Sequence, residues 1–237
     1  MNKLFISTLC GAIFFSPCSY SAIAIDRTRA IFLEGEKSIS LKIHNYSENA
    51  PYLVQAWVDD GNAQKDRYFT AIPPIQRVNE NSDTKFRVVD INSQSLPNDR
   101  ESVQYLSIRE IPPKSSNENV LQISTQSRIK LFYRPKSISS LMTDNYSPLN
   151  ELTVYFSEQK MLLEDNSPFH ITISSIEDEN KIIYDKALMI KPFENISIDI
   201  EKTIDSKKTL FITYIDDWGG KRKETFSCNW GKCKIVQ

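Results

Sequence analysis

Apolar and β-branched residues fall in short runs along most of this chain, separated by Pro, Asn, Asp and Ser. Runs of this kind predict strands rather than helices. The pattern predicts strands at 23–32, 38–44, 52–58, 85–89, 103–109 and 120–133, then at 152–156, 169–176, 182–190, 196–200, 209–215 and 223–228. Regular short strands with polar turns indicate antiparallel β-sandwiches. A polar stretch at 136–150, which carries Pro148, follows Arg134-Pro135 and separates two strand-rich halves. The expected fold is therefore all-β, with two immunoglobulin-like domains at 22–137 and 138–237. Between the strands at 209–215 and 223–228, Asp217-Trp218-Gly219-Gly220-Lys221 reads as a hairpin turn, since paired glycines permit positive φ. With six glycines in the chain and no Walker or dinucleotide spacing, a phosphate loop finds no support there.

The first residues depart from this pattern. Lys3 precedes an apolar run from Leu4 to Phe15, and small residues then lead to Ala22. This reads as a secretory signal peptide over 1–21, cleaved between Ser21 and Ala22. The run falls short of the ~20 apolar residues that a membrane span needs. Cys18 raises a lipoprotein reading, for which Pro17 is a poor fit. The leader's only charged residue is Lys3, so its removal takes the formal net charge from −1 to −2. A near-neutral balance provides no general drive toward nucleic acid.

Candidate enzyme chemistry is sparse. The only two histidines, His44 and His170, lie in strand patterns without a neighbouring nucleophile or metal ligand. Acidic residues are numerous but scattered, and nothing selects a glycosidase pair. No cofactor or metal site is expected. Of four cysteines, Cys228 and Cys233 follow the leader. In an oxidising compartment this pair reads as a disulfide closing a hairpin, worth ~2 kcal/mol on the chain-entropy estimate. A zinc site would need two further soft ligands.

The predicted strand at 120–133 is long against the typical 5–6 residues. Its first part alternates, with Leu121, Ile123 and Thr125 on one face and Gln122, Ser124 and Gln126 on the other. Alone, it reads as a last core strand. Its length and its basic end, Arg128, Lys130 and Arg134, add a second reading: an exposed edge that adds a strand to another protein.

Several blocks in order resemble the PapD-like pilus chaperones. They are 25–32, 51–57, 73–77, 100–102, 106–113 and 120–135, continued by the Trp218-Gly219-Gly220 turn and the terminal cysteine pair. The resemblance covers essentially the whole chain after the leader and points to the short-loop branch. It implies two domains joined at an angle across a cleft, in the periplasm. It implies Arg29 and Lys130 as anchors for a subunit's C-terminal carboxylate. A planar guanidinium fork and a compact ammonium suit that task. It further implies Leu121, Ile123 and Thr125 as side chains that fill the subunit's open groove, Thr125 being smaller than the family norm. Glu101, Arg134 and Asp217 are the implied interdomain charge network, with Asp216 competing for the last place. The implied function is a non-enzymatic chaperone that caps pilus (fimbrial) subunits by donating an edge strand and passes them to an outer-membrane usher. Self-association of the free protein is left open. The competing classes are a secreted β-sandwich adhesin or carbohydrate-binding module, and a secreted hydrolase.

Overall fold

A computed structural model describes residues 22–62, 64, 66–115, 119–143, 146–157, 159–179, 181–200 and 209–236. The expected leader at 1–21 lies outside the described residues.

The first half contributes β1 (Ile23–Ile25), β2 (Arg29–Leu33), β3 (Ser38–Asn45), β4 (Tyr52–Asp59), β5 (Phe69–Ile72), β6 (Ile75–Val78), β7 (Ser82–Asp90), β8 (Ser102–Ile111) and β9 (Gln126–Arg134). The second half contributes β10 (Leu152–Ser157), β11 (Lys160–Asp165), β12 (Ile171–Asp178), β13 (Ile182–Tyr184), β14 (Leu188–Ile190), β15 (Asn195–Asp199), β16 (Thr209–Ile215), β17 (Lys221–Asn229) and β18 (Lys232–Ile235).

Two sheets make the first sandwich, one in the order β1-β3-β7-β5 and the other β2-β9-β8-β4-β6. Period-2 alternation does the sorting. On β3, Leu41 and Ile43 turn inward while Lys42 faces water; on β7, Phe86 and Val88 turn inward while Arg87 faces water. With Phe32, Leu106 and Leu131 they form a core with essentially no exposed surface. The second sandwich is one continuous sheet folded on itself, β13-β12-β16-β17-β18-β10-β11-β15, with β14 on the flank of β12. It wraps Leu149, Met161, Leu163, Ile173, Ile212 and Phe226. The polar connector holds a short helix α1 (Lys136–Ser139) and a 3-10 turn at Pro148–Glu151. Ser147 Oγ caps that turn by accepting the Leu149 N–H at 3.3 Å.

Three expectations need correction. The strand at 23–32 is two strands: β1 pairs with β3, and β2 crosses to the other sheet to run parallel to β9. The strand at 182–190 likewise divides into β13 and β14, both on β12. The strand at 120–133 begins only at Gln126. Its partner β8 stops at Ile111, because Pro112 and Pro113 have no amide N–H with which to continue a ladder. Four strands were not foreseen. β5 and β6 flank Pro73-Pro74, whose prolines mask a strand pattern. β11 is built from Met, Leu and charged residues with weak strand preference. β18 is short and polar.

Candidate functional site

Parallel pairing of β2 with β9 sets Arg29 opposite Lys130, and register partners in adjacent strands point to the same side. Ala30, Phe32, Ile129 and Leu131 turn into the first core, so both cations project from the other face, toward the second sandwich. Arg29 is 7% exposed. Its Nη1 donates to the Ile215 carbonyl at 3.0 Å, and its guanidinium lies 5.4 Å from the Phe132 ring centre. Lys130 Nζ donates to Thr172 Oγ1 at 3.5 Å. Among the described residues neither cation has a carboxylate within 4.0 Å. Burial lowers the Arg29 pKa against the opposing field of Asp217, Glu101 and Asp216. Burial and then the Arg29 charge lower the pKa of Lys130. Two like charges thus sit together, partly stripped of water, which favours any anion that reaches both.

Two grooves meet at Arg29. The smaller, of about 340 Å³, is lined by Thr28, Arg29, Arg128, Ile129, Lys130, Ile215 and Gly219. The larger, of about 610 Å³, contains Arg29, Phe132, Tyr146, Phe169 and Trp218 but not Lys130. Both cations meet only in the smaller one.

Arg134, two positions along the same face, has opposite surroundings. Its Nε donates to Glu101 Oε1 at 2.8 Å, and its Nη1 and Nη2 grip Asp217 at 2.7 and 2.9 Å. Burial opposes its charge, but Asp217 and Glu101 raise its pKa overall. Glu101 also accepts the His170 main-chain N–H at 2.9 Å. The His170 ring nitrogen, 3.4 Å from the same oxygen, is a longer contact than the main-chain bond. Burial opposes ionisation of Glu101, yet His170 and Arg134 hold its carboxyl below the usual range. Of the two candidate aspartates, Asp217 joins this network. Asp216 turns into its own loop, accepting from Trp218 N at 3.1 Å, Gly220 N at 2.7 Å and Arg222 Nε at 3.0 Å.

That loop presses on the first sandwich. Gly219 has φ +84°, and a Cβ there would stand 2.1 Å from Thr28 Oγ1, so glycine permits both the turn and the close approach. Thr28 directly precedes Arg29.

Because β2 begins at Arg29, opposite Lys130, β9 from Gln126 to Ile129 pairs on one side only, with β8, among the described residues. Before Gln126 the chain leaves the ladder. Glu110 N still donates to the Thr125 carbonyl at 3.0 Å, Ser124 Oγ donates to the Glu110 carbonyl, and Gln122 Nε2 donates to the Pro113 carbonyl at 2.6 Å. Leu121 is 85% and Ile123 68% exposed, and Thr125 is exposed as well. These three precede Lys130 by nine, seven and five residues, a chain length of at most about 30 Å for Leu121 and about 17 Å for Thr125 at ~3.3 Å per residue. The sequence reading missed His170, Phe132, Thr172 and Ile215 as parts of the site. Phe132 shares its face with Lys130 two residues away on β9, which alternation could have signalled; nothing local marks His170, Thr172 and Ile215, which packing between the sandwiches brings in.

Cys228 and Cys233 form a disulfide across β17 and β18, whose hairpin turns on Trp230 and Gly231, both at positive φ. This is the two-residue geometry that favours glycine.

Comparison with known proteins matches residues 22–139 to the family described as "Pili and flagellar-assembly chaperone, PapD N-terminal domain" and 148–226 to "Pili assembly chaperone PapD, C-terminal domain". The chain is 35% identical to the probable fimbrial chaperone YfcS of Escherichia coli (strain K12), covering 99% of this chain and 97% of that one. It is 34% identical to the chaperone protein PapD of Escherichia coli over 91% of this chain and 90% of that one. The solved Pseudomonas aeruginosa CupB2 chaperone superposes with a TM-score of 0.71 at 26% identity, covering 87% of this chain and 100% of the other. With two β-sandwich domains and relatives of this kind along nearly its full length, the chain belongs to the PapD-like family of pilus-assembly chaperones.

Proposed function

We propose that this chaperone works in the periplasm, without catalysis. It binds pilus subunits by lending the edge of β9 and the segment before it, anchors the subunit's C-terminal carboxylate on Arg29 and Lys130, and delivers the subunit to an outer-membrane usher. The observation that carries this reading is the pair of partly desolvated cations at the point where β2 begins and, before it, one side of β9 lies open. A strand laid along that opening meets Lys130 and Arg29 at its end. Parallel to β9, it presents its C-terminus there, and the terminal carboxylate relieves the like-charge pair.

Magnitudes support a shared grip. Burying Leu121 and Ile123 contributes ~1.5–3 kcal/mol each. Each charge-assisted bond adds ~1.5–3 kcal/mol. Association costs ~4–15 kcal/mol. The two apolar side chains barely offset that cost, so main-chain bonds along the open edge carry the remainder. Residues 22–137 and 138–237 are the proposed domains, with Glu101, Arg134 and Asp217 joining them. A sugar-binding module gives the buried Arg29 and half-buried Lys130 no task.

The test is co-purification. Protein isolated from periplasm should carry pilus subunits identifiable by mass spectrometry, and folded Arg29→Ala or Lys130→Ala should carry none. Wild-type yields of subunit on the folded Arg29→Ala protein would overturn the anchor.

A further inference from the structure

Glu110 is an acidic residue on the core-facing side of β8, 5% exposed, at the end of the first sandwich. Its Oε2 accepts the Ile23 main-chain N–H at 3.1 Å in a buried bond. The preceding residue, Ala22, is held at its carbonyl by the Tyr46 N–H at 2.7 Å. The Ala22 nitrogen therefore lies within about one chain step, 3.8 Å, of a nitrogen already bonded to the Glu110 carboxylate.

We propose that leader removal frees an α-ammonium at Ala22 which pairs with the buried Glu110 carboxylate, and that this pair secures the root of the 119–125 segment. The proposal rests on cleavage between Ser21 and Ala22. In the precursor this nitrogen is an uncharged peptide amide; after cleavage it is a cation. A buried carboxylate is stabilised by each donor and each positive charge aimed at it. Glu110 is also the residue from which the segment hangs. Its own N–H holds the Thr125 carbonyl at 3.0 Å, and its carbonyl accepts the Ser124 hydroxyl. Processing thus adds a charge to the residue that fixes where the exposed segment leaves the sheet, so a chain becomes fully competent for subunit binding only once exported and cleaved.

The test starts with the intact mass of the periplasmic protein. A first residue other than Ala22 refutes the cleavage reading itself. With Ala22 first, three exported forms are compared with wild type: Glu110→Gln, a form with Gly-Ser inserted before Ala22, and the two combined. Each single change should lower the melting temperature by about 5 °C or more, and the combination should add little. Amide exchange at Thr125–Ile129 should quicken at least tenfold in each, while β10 and β11 keep wild-type exchange. Wild-type melting and exchange in the inserted form, or fully additive losses, overturn the proposal. Should Glu110→Gln not fold, the α-amino acylation rate of the wild-type protein decides. A rate tenfold below that of a free peptide supports the pair, and an equal rate overturns it.

Discussion

Arg29 and Arg134 project from adjoining strands of one sheet face and are buried alike, at 7% and 6% exposure. Burial lowers the pKa of Arg29 overall, whereas Asp217 and Glu101 reverse the same effect at Arg134. One guanidinium is saturated by two carboxylates; the other holds a single carbonyl. Equal burial therefore carries two meanings. A buried cation with its acids in place ties elements together, whereas one that meets only a carbonyl and a ring face is, on the proposed function, the one that receives an anion from outside.

Four substitutions break or sharpen this contrast. Arg134→Ala leaves the buried Glu101 and the partly exposed Asp217 without their cation and should cost about 3 kcal/mol in urea unfolding. Arg29→Ala should lower subunit affinity by about 100-fold in a binding titration, from the loss of roughly two charge-assisted bonds. Its unfolding free energy should move by less than about 1 kcal/mol, because the removed desolvation penalty offsets one hydrogen bond. If Arg29→Ala unfolded as readily as Arg134→Ala, the contrast would collapse. Ile123→Asp should weaken subunit binding by about 1.5–3 kcal/mol with unchanged melting, since the side chain is largely exposed before binding.

The smallest effect belongs to Lys130→Met. The folded-state pKa of Lys130 lies below the ordinary 10.5. Between that lowered value and 10.5 the unfolded chain binds more protons, so stability rises with pH across this window, and the penalty is fully present below it. Lys130→Met should melt higher than wild type at pH 7, with the gap closing as pH approaches the ordinary lysine range. Calorimetry at pH 7 and above 9 checks the sign.

Much of the fold was legible because period-2 alternation is local. The strands around Leu41, Phe86, Leu106 and Ile212 all follow it. The sheet switch after Ile25 was not legible, since both halves of that stretch alternate equally well. The start of β9 was hidden for a related reason: residues 120–125 have strand chemistry, but Pro112 and Pro113 on the facing chain deny them a ladder. At the site, family resemblance marked Arg29, Lys130, Glu101, Arg134 and Asp217, whereas periodicity alone left them as scattered charges. The choice between Asp216 and Asp217 lay beyond any pattern, because neighbouring residues in one turn differ only in where the turn aims them.

The sequence by itself determined an all-β chain in two halves, a cysteine pair five residues apart and an exposed-strand candidate with a basic end. These follow from composition and short-range periodicity, which involve few residues. Only the tertiary structure decided that Arg29 and Lys130, 101 positions apart in the chain, share one face with no carboxylate of the described residues within 4.0 Å. Parallel pairing of β2 with β9, and the press of the Gly219 turn on Thr28, made that neighbourhood. Such long-range packing arises from the summed burial of two cores and leaves no mark at any single position.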